Sequence, residues 1–261
     1  MLTLFLLICF GASVLGSICG IGGGIIIKPL LDAFGVLDAA TVSFLSGVTV
    51  LSMTAYSVVK NKEGGEPCVD KKTGFLLAAG AASGGAAGKK VFSLVLLYYK
   101  NADKLGLIQA VCLLAVTVGT LFYTLKKERI RTMHVTDPAL CFGIGFALGM
   151  VSSFLGIGGG PLNLVVLFFF FSLSAKSAAK SSLYIIFFSQ CTSLVLTFLG
   201  GEIPQFELSL LFVMILGGIG GGAVGRFLNR RISEKAVGRL FIMVMSFMIL
   251  ISTYNIVKFK G

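Results

Sequence analysis

Tryptophan is missing from this chain, histidine occurs once, and acidic residues number 11 against 22 Lys and Arg. Only 13% of residues are charged, where soluble domains average about 25%. Each shortage excludes something. The lone His134 lies in a charged loop, which leaves no His-based metal or catalytic cluster. Without Trp, and with no aromatic residues interleaved along a basic groove, nucleic acid is not an expected partner despite a net charge of +11. The six cysteines are Cys9, Cys19, Cys68, Cys112, Cys141 and Cys191, with no C-x-x-C among them. All but Cys68 sit in apolar stretches, so they read as small buried hydrophobes rather than a disulfide framework. No metal, no cofactor and no catalytic residue is expected, because no nucleophile stands with a base. A thiol route through Cys19, beside the first glycine motif, is weakened by the lack of a nearby charge to activate it.

What is abundant is apolar sequence. Hydrophobic residues make up 56% of the chain, and the mean hydropathy is +0.97. An integral membrane protein follows from composition. The first residues, MLTLFLLICFGASVLGS, have a signal-like apolar core without a basic n-region. They also take part in an internal repeat, so they are read as part of the mature chain.

The repeat is direct. FGASVLGSICGIGGG at 10–24 lies over FALGMVSSFLGIGGG at 146–160 without a gap, a shift of 136. GAASGGAAGK, Gly80 to Lys89, lies over GGIGGGAVGR, Gly217 to Arg226, a shift of 137. Between them AATVS at Ala39 echoes AAKSS at Ala178. The chain reads as two related membrane repeats, 1–130 and 131–261, joined through KKERIR. Each offers four apolar segments: roughly 2–35, 39–59, 73–92 and 105–125, then 138–173, 178–200, 207–227 and 237–257. The last three of each set suit single crossings, since about 20 helical residues span a bilayer core. The first segments are too long for one crossing and barely long enough for two.

Basic residues arbitrate. With the first segments crossing once, ten Lys and Arg fall on one side and twelve on the other, which is no signal. With both segments re-entrant, loops 60–72, 126–137, 173–180 and 226–239 share fifteen, against seven opposite. Cytoplasmic loops are enriched in Lys and Arg. The expected fold is therefore an all-α polytopic membrane protein, an inverted repeat with Gly-broken or re-entrant first segments and both termini outside.

GIGGG sits in each first segment, as Gly20, Gly22, Gly23 and Gly24 with Ile21, and as Gly156, Gly158, Gly159 and Gly160 with Ile157. Broken backbone at membrane depth is tolerated only where protein buries it or it lines a wet cavity. A helix restarting there offers free N–H groups and the positive end of its dipole, an anion site. Two such ends aimed at the midplane would hold a small anion, as in many carriers built from inverted repeats. The other reading is close helix packing, because these glycines belong to small residues spaced four apart. For the ladders Gly80, Gly84, Gly88 and Gly217, Gly221, Gly225, packing is the expected role.

The paired motifs resemble the sulfite exporter TauE/SafE family of permeases. The resemblance covers essentially the whole chain and rests on GSICGIGGGIIIKPLL (Gly16 to Leu31), GMVSSFLGIGGGPLNL (Gly149 to Leu164) and third segments ending in Lys89 and Arg226. It implies carriage of small sulfur-containing anions, such as sulfite or organosulfonates, across a prokaryotic cytoplasmic membrane by a multi-pass protein. Lys28 and Asn163 depart from it, since similar proteins usually carry apolar residues there.

Lys28 either charges the anion site or snorkels to the interface; Asn163 either donates to the anion or caps the break. Ser52 and Gln190 are the second-segment candidates, Gln190 the stronger because it cannot so readily satisfy both its ends on its own backbone. Lys180, near a helix start, is expected to attract anions or lipid headgroups. Asp32, Asp38, Glu202 and Glu207 all fall near segment ends, so no carboxylate is expected in the membrane, and any coupling would use the anion's own proton or gradient. An anion channel, or a permease for a carboxylate or other inorganic anion, are the alternatives. Membrane lipid is an expected partner, and homo-oligomerisation is left open.

Overall fold

The computed structural model describes residues 2–62, 71–99 and 102–260. Among these, ten α-helices account for nearly all of the chain, with one 3₁₀ turn at Lys127–Arg129 and no strand. Cys68, Lys100 and the side chains of Lys62, Lys71 and Lys260 lie outside the described residues.

Each first segment is two helices, and the glycine motif is the joint. α1 (Leu2–Cys19) stops before Gly20 and α2 (Gly24–Phe34) starts on the last glycine. α6 (Pro138–Leu155) and α7 (Gly160–Phe171) are divided in the same way. Gly20 and Gly156 have φ of 73° and 65°; Gly22 and Gly158 have φ of 70° and 83°. This left-handed backbone costs an ordinary residue about 1–2 kcal/mol, so the first and third motif positions need glycine. Pro161 falls in the first turn of α7, where its missing N–H costs nothing.

Both hairpins return to the end they left. The segment entering α6 pairs with the end of α7: the Met133 N–H donates to the Phe169 carbonyl at 2.7 Å and the Val135 N–H to that of Phe170 at 2.9 Å. α1 runs alongside α9 (Leu208–Arg231), with Gly217 against Leu6 and Gly225 against Val14, so both helices begin at one end of the bundle. α2 feeds α3 (Ala39–Lys62) at that same end, where Phe44 packs on Phe206 just ahead of α9. The long arms have 18 residues and the short arms 11 and 12, about 27 Å against about 17 Å at 1.5 Å per residue.

α4 (Lys71–Tyr99), α5 (Ala102–Lys126), α8 (Ala175–Leu199) and α10 (Glu234–Lys260) complete the bundle. Among the described residues seven helices, α1, α3, α5, α6, α8, α9 and α10, are long and apolar enough to cross a membrane. The chain is thus an all-α polytopic membrane protein.

The glycine ladders are packing surfaces, and each joins one half to the other. A Cβ on Gly80, Gly84 or Gly88 of α4 would strike the carbonyls of Phe142, Phe146 and Met150 on α6. Gly217, Gly221 and Gly225 of α9 meet Leu6, Phe10 and Val14 of α1 in the same register. Lipid tails give little hydrophobic reason for helices to associate, so close backbone approach supplies the attraction. The two halves interlock rather than stand side by side.

Candidate functional site

The two breaks meet. Gly24 lies against Ile157, where an added Cβ would sit 2.6 Å from the carbonyl oxygen, and Gly160 presses on the Ile21 backbone. Val50 of α3 and Ile186 of α8 pack on Gly22 and Gly158 together. Further along the same helix faces, Ser43 of α3 abuts Gly156, where an added Cβ would sit 3.0 Å from the serine Cβ, and Ala179 of α8 abuts Gly20. The second segments therefore superpose at the shift of 136 already found for the motifs. The echo between Ala39 and Ala178 is a different register and does not survive.

On one side of this junction a cavity of about 320 Å³ runs from the α8–α9 loop down to Ser153 and Gly156. Its floor is polar. Gln190, 2% exposed, donates through Nε2 to Ser152 Oγ at 3.5 Å, while Ser43 and Ser193 line the walls. At the mouth the Lys89 ammonium lies 2.9 Å from Glu202 and 5.0 Å from the Phe92 ring centre. The Ser93 hydroxyl donates to Glu202 at 2.7 Å. That hydroxyl and the Lys89 charge together hold the Glu202 carboxyl below the usual range.

Of the residues singled out in sequence, Gly156 and Gln190 line this vestibule. Gly20, Gly22, Gly23, Gly24, Gly158, Gly159 and Gly160 are buried in or beside the junction behind it. Ser52 is spent on its own helix, donating to the Val48 carbonyl at 2.8 Å. Asn163 is fully buried, and neither end of its amide has a partner among the described residues. Ser46 and Ser182, one turn from residues touching the breaks, carry buried hydroxyls without partners among the described residues. Such groups each forfeit about 1–3 kcal/mol unless water or a ligand meets them.

Lys28 is elsewhere. It is 2% exposed, so it does not snorkel, and its ammonium meets Asp32 at 3.1 Å. Asp32 is 6% exposed, which corrects the expectation that segment-end carboxylates stay outside: α10 covers it. Asn255 donates to the Pro29 carbonyl at 2.8 Å, and Gln109 to that of Phe154 at 2.7 Å. Their amide oxygens, Asp32 Oδ1 and Ser252 Oγ have no hydrogen-bond partner among the described residues, and all four side chains line a cavity of about 10 Å³. One water would fit.

Sequence reasoning missed Lys89 and Ser153 as vestibule residues. The available signal was Lys89 and Arg226 closing matched glycine ladders, which places a cation beside each first segment.

Comparison with known proteins agrees with this architecture. The sequence profile described as sulfite exporter TauE/SafE matches residues 5–251. A curated relative, the probable membrane transporter protein YunE of Bacillus subtilis (strain 168), is 23% identical over 252 residues, covering 87% of this chain and 88% of its own. No solved structure gives a significant match. With a match over nearly its whole length and seven helices able to span a bilayer, the chain belongs to the sulfite exporter TauE/SafE family as a multi-pass cell-membrane transport protein, not an enzyme.

Proposed function

We propose that this transporter is a permease for small sulfur-containing anions, sulfite or an organosulfonate, held where the vestibule narrows onto the second glycine break. The vestibule carries the reading. It ends at a break in a membrane helix, carries the Gln190 amide and the Ser193 hydroxyl in its lining, and has the Lys89–Glu202 ion pair at its mouth. Neutral donors around Gly156 and Gln190 suit a weakly held oxyanion that must leave again. The family description supports sulfite as the reference substrate.

Opposed hairpins support an inverted repeat: α1–α2 dips in from the end where α3 begins, α6–α7 from the end where α5 finishes. The junction favours a carrier over a channel. Gly24 on Ile157 and Gly160 on Ile21 are in backbone contact, leaving no continuous pore between the breaks. The test is thermal stabilisation of the purified protein by sulfite, thiosulfate, isethionate, sulfate and acetate, since a ligand of the folded state raises the melting temperature. A sulfur oxyanion that stabilises wild type but not Gln190→Leu is expected. Stabilisation by acetate alone would reject the substrate class.

A further inference from the structure

A second cavity, of about 30 Å³, lies among Ser17, Ser57, Ala179, Lys180, Leu183 and the end of α9. It has room for about one water. Its lining is the lining of the open vestibule, transposed. At a shift of 136, Ser17 and Ser57 fall on Ser153 and Ser193, and Ala179, Lys180 and Leu183 on Ser43, Phe44 and Gly47. At the shift of 137 that holds for the third segments, Arg226, Asn229 and Arg230 fall on Lys89, Phe92 and Ser93. Every residue of the small cavity has its counterpart in the large one. The two lie toward opposite ends of α8, Lys180 in its second turn and Thr197 in its last.

We infer that the small cavity is the closed counterpart of the vestibule and receives the same anion at the other end of the bundle, so that transport exchanges the conformations of the two halves. This rests on the permease reading. The contacts that close it have names. Asn229 Nδ2 donates to the Ile18 carbonyl at 2.6 Å, tying α9 to the end of α1. Ser17 donates to the Gly222 carbonyl at 3.1 Å, and Arg226 to that of Lys60. A Cβ added to Gly20 would sit 2.1 Å from the Ala179 Cα, whereas one added to Gly156 would sit 3.4 Å from the Ser43 Cα, so the contact is tighter on the closed side. On the open side Phe92 replaces Asn229, and the Phe154 carbonyl, the counterpart of Ile18, is taken by Gln109 instead. Lys180, Arg226 and Arg230 give the closed site more positive charge than the open one, which suits an anion.

The test needs no substrate. In a cysteine-free background in detergent, Ser193→Cys and Ser57→Cys are labelled with a polar maleimide, with and without Asn229→Ala. Ser193→Cys is expected to react and Ser57→Cys to resist. Loss of the clamp should speed Ser57→Cys about fivefold, the worth of one neutral hydrogen bond, and slow Ser193→Cys. No change at Ser57→Cys, or acceleration at both sites, overturns the inference. If the cysteine-free protein does not fold, hydrogen exchange on the native sequence reads the same reciprocity, with 12–20 rising and 150–158 falling in Asn229→Ala. Exchange without anion transport would reject the permease reading alone; transport without exchange would reject this inference alone.

Discussion

Gly160→Ala tests the junction on which the site is built. Gly160 is helical, without a positive φ, so alanine brings no backbone strain. What it brings is a methyl group aimed into the carbonyl oxygen, carbonyl carbon and Cα of Ile21. All three are backbone atoms in a buried loop and cannot rotate away. Overpacking costs about 1–3 kcal/mol, and this site belongs at the upper end. At about 2–4 °C per kcal/mol for a chain of this size, the melting temperature should fall by roughly 6–12 °C. Gly24→Ala meets the Ile157 oxygen at 2.6 Å and a Val50 methyl at 2.7 Å, and the methyl can swing, so about half that loss is expected. Gly143→Ala is the control. Nothing lies within 4 Å of its added Cβ, and alanine there gains up to about 1 kcal/mol of helix propensity. Melting curves by size-exclusion fluorescence in one detergent give the order. If Gly160→Ala is as stable as Gly143→Ala, the two breaks do not touch and the reasoning fails.

Three further outcomes are expected. Asp32→Leu or Lys28→Met alone strands a buried charge and should cost about 3–5 kcal/mol, whereas the double variant Lys28→Met with Asp32→Leu should recover most of it; a double-mutant cycle on melting temperature reads this. Gln190→Leu should reduce anion uptake about tenfold or more, one hydrogen bond to a charged group, while Ser52→Ala leaves uptake unchanged because that hydroxyl serves its own helix. The Glu202 carboxyl is held low by Ser93 and Lys89, so its contribution is present above the ordinary glutamate pKa of about 4.3 and lost as pH falls through the lower folded value. Wild type should therefore melt above Glu202→Gln at pH 7, by a small margin since Glu202 is 48% exposed, and converge with it as the pH falls below the ordinary glutamate range.

The breaks could be read from sequence because consecutive glycines inside an apolar run serve no helix, and the structure interrupts both hairpins there. The ladders were legible as packing surfaces, but their partners were not: Gly80 meets Phe142, some sixty residues on, and spacing says nothing about which helix arrives. Lys28 and Asp32 were misjudged for a related reason. α2 is only 11 residues long, so a carboxylate near its end still lies under α10, whose position no local pattern encodes. Gln190 was singled out by elimination, as an amide too large to satisfy itself, and it lines the vestibule. Ser153 and Ser193 looked like ordinary helix hydroxyls until the bundle set them around one cavity.

The most direct measurement is uptake of radiolabelled sulfite and isethionate into liposomes containing the purified protein. Saturable uptake of at least one of them, reduced about tenfold or more by Gln190→Leu and competed by the other, is the expected result. Flux equal to that of empty liposomes for every sulfur oxyanion, with the protein folded and inserted, would contradict the account.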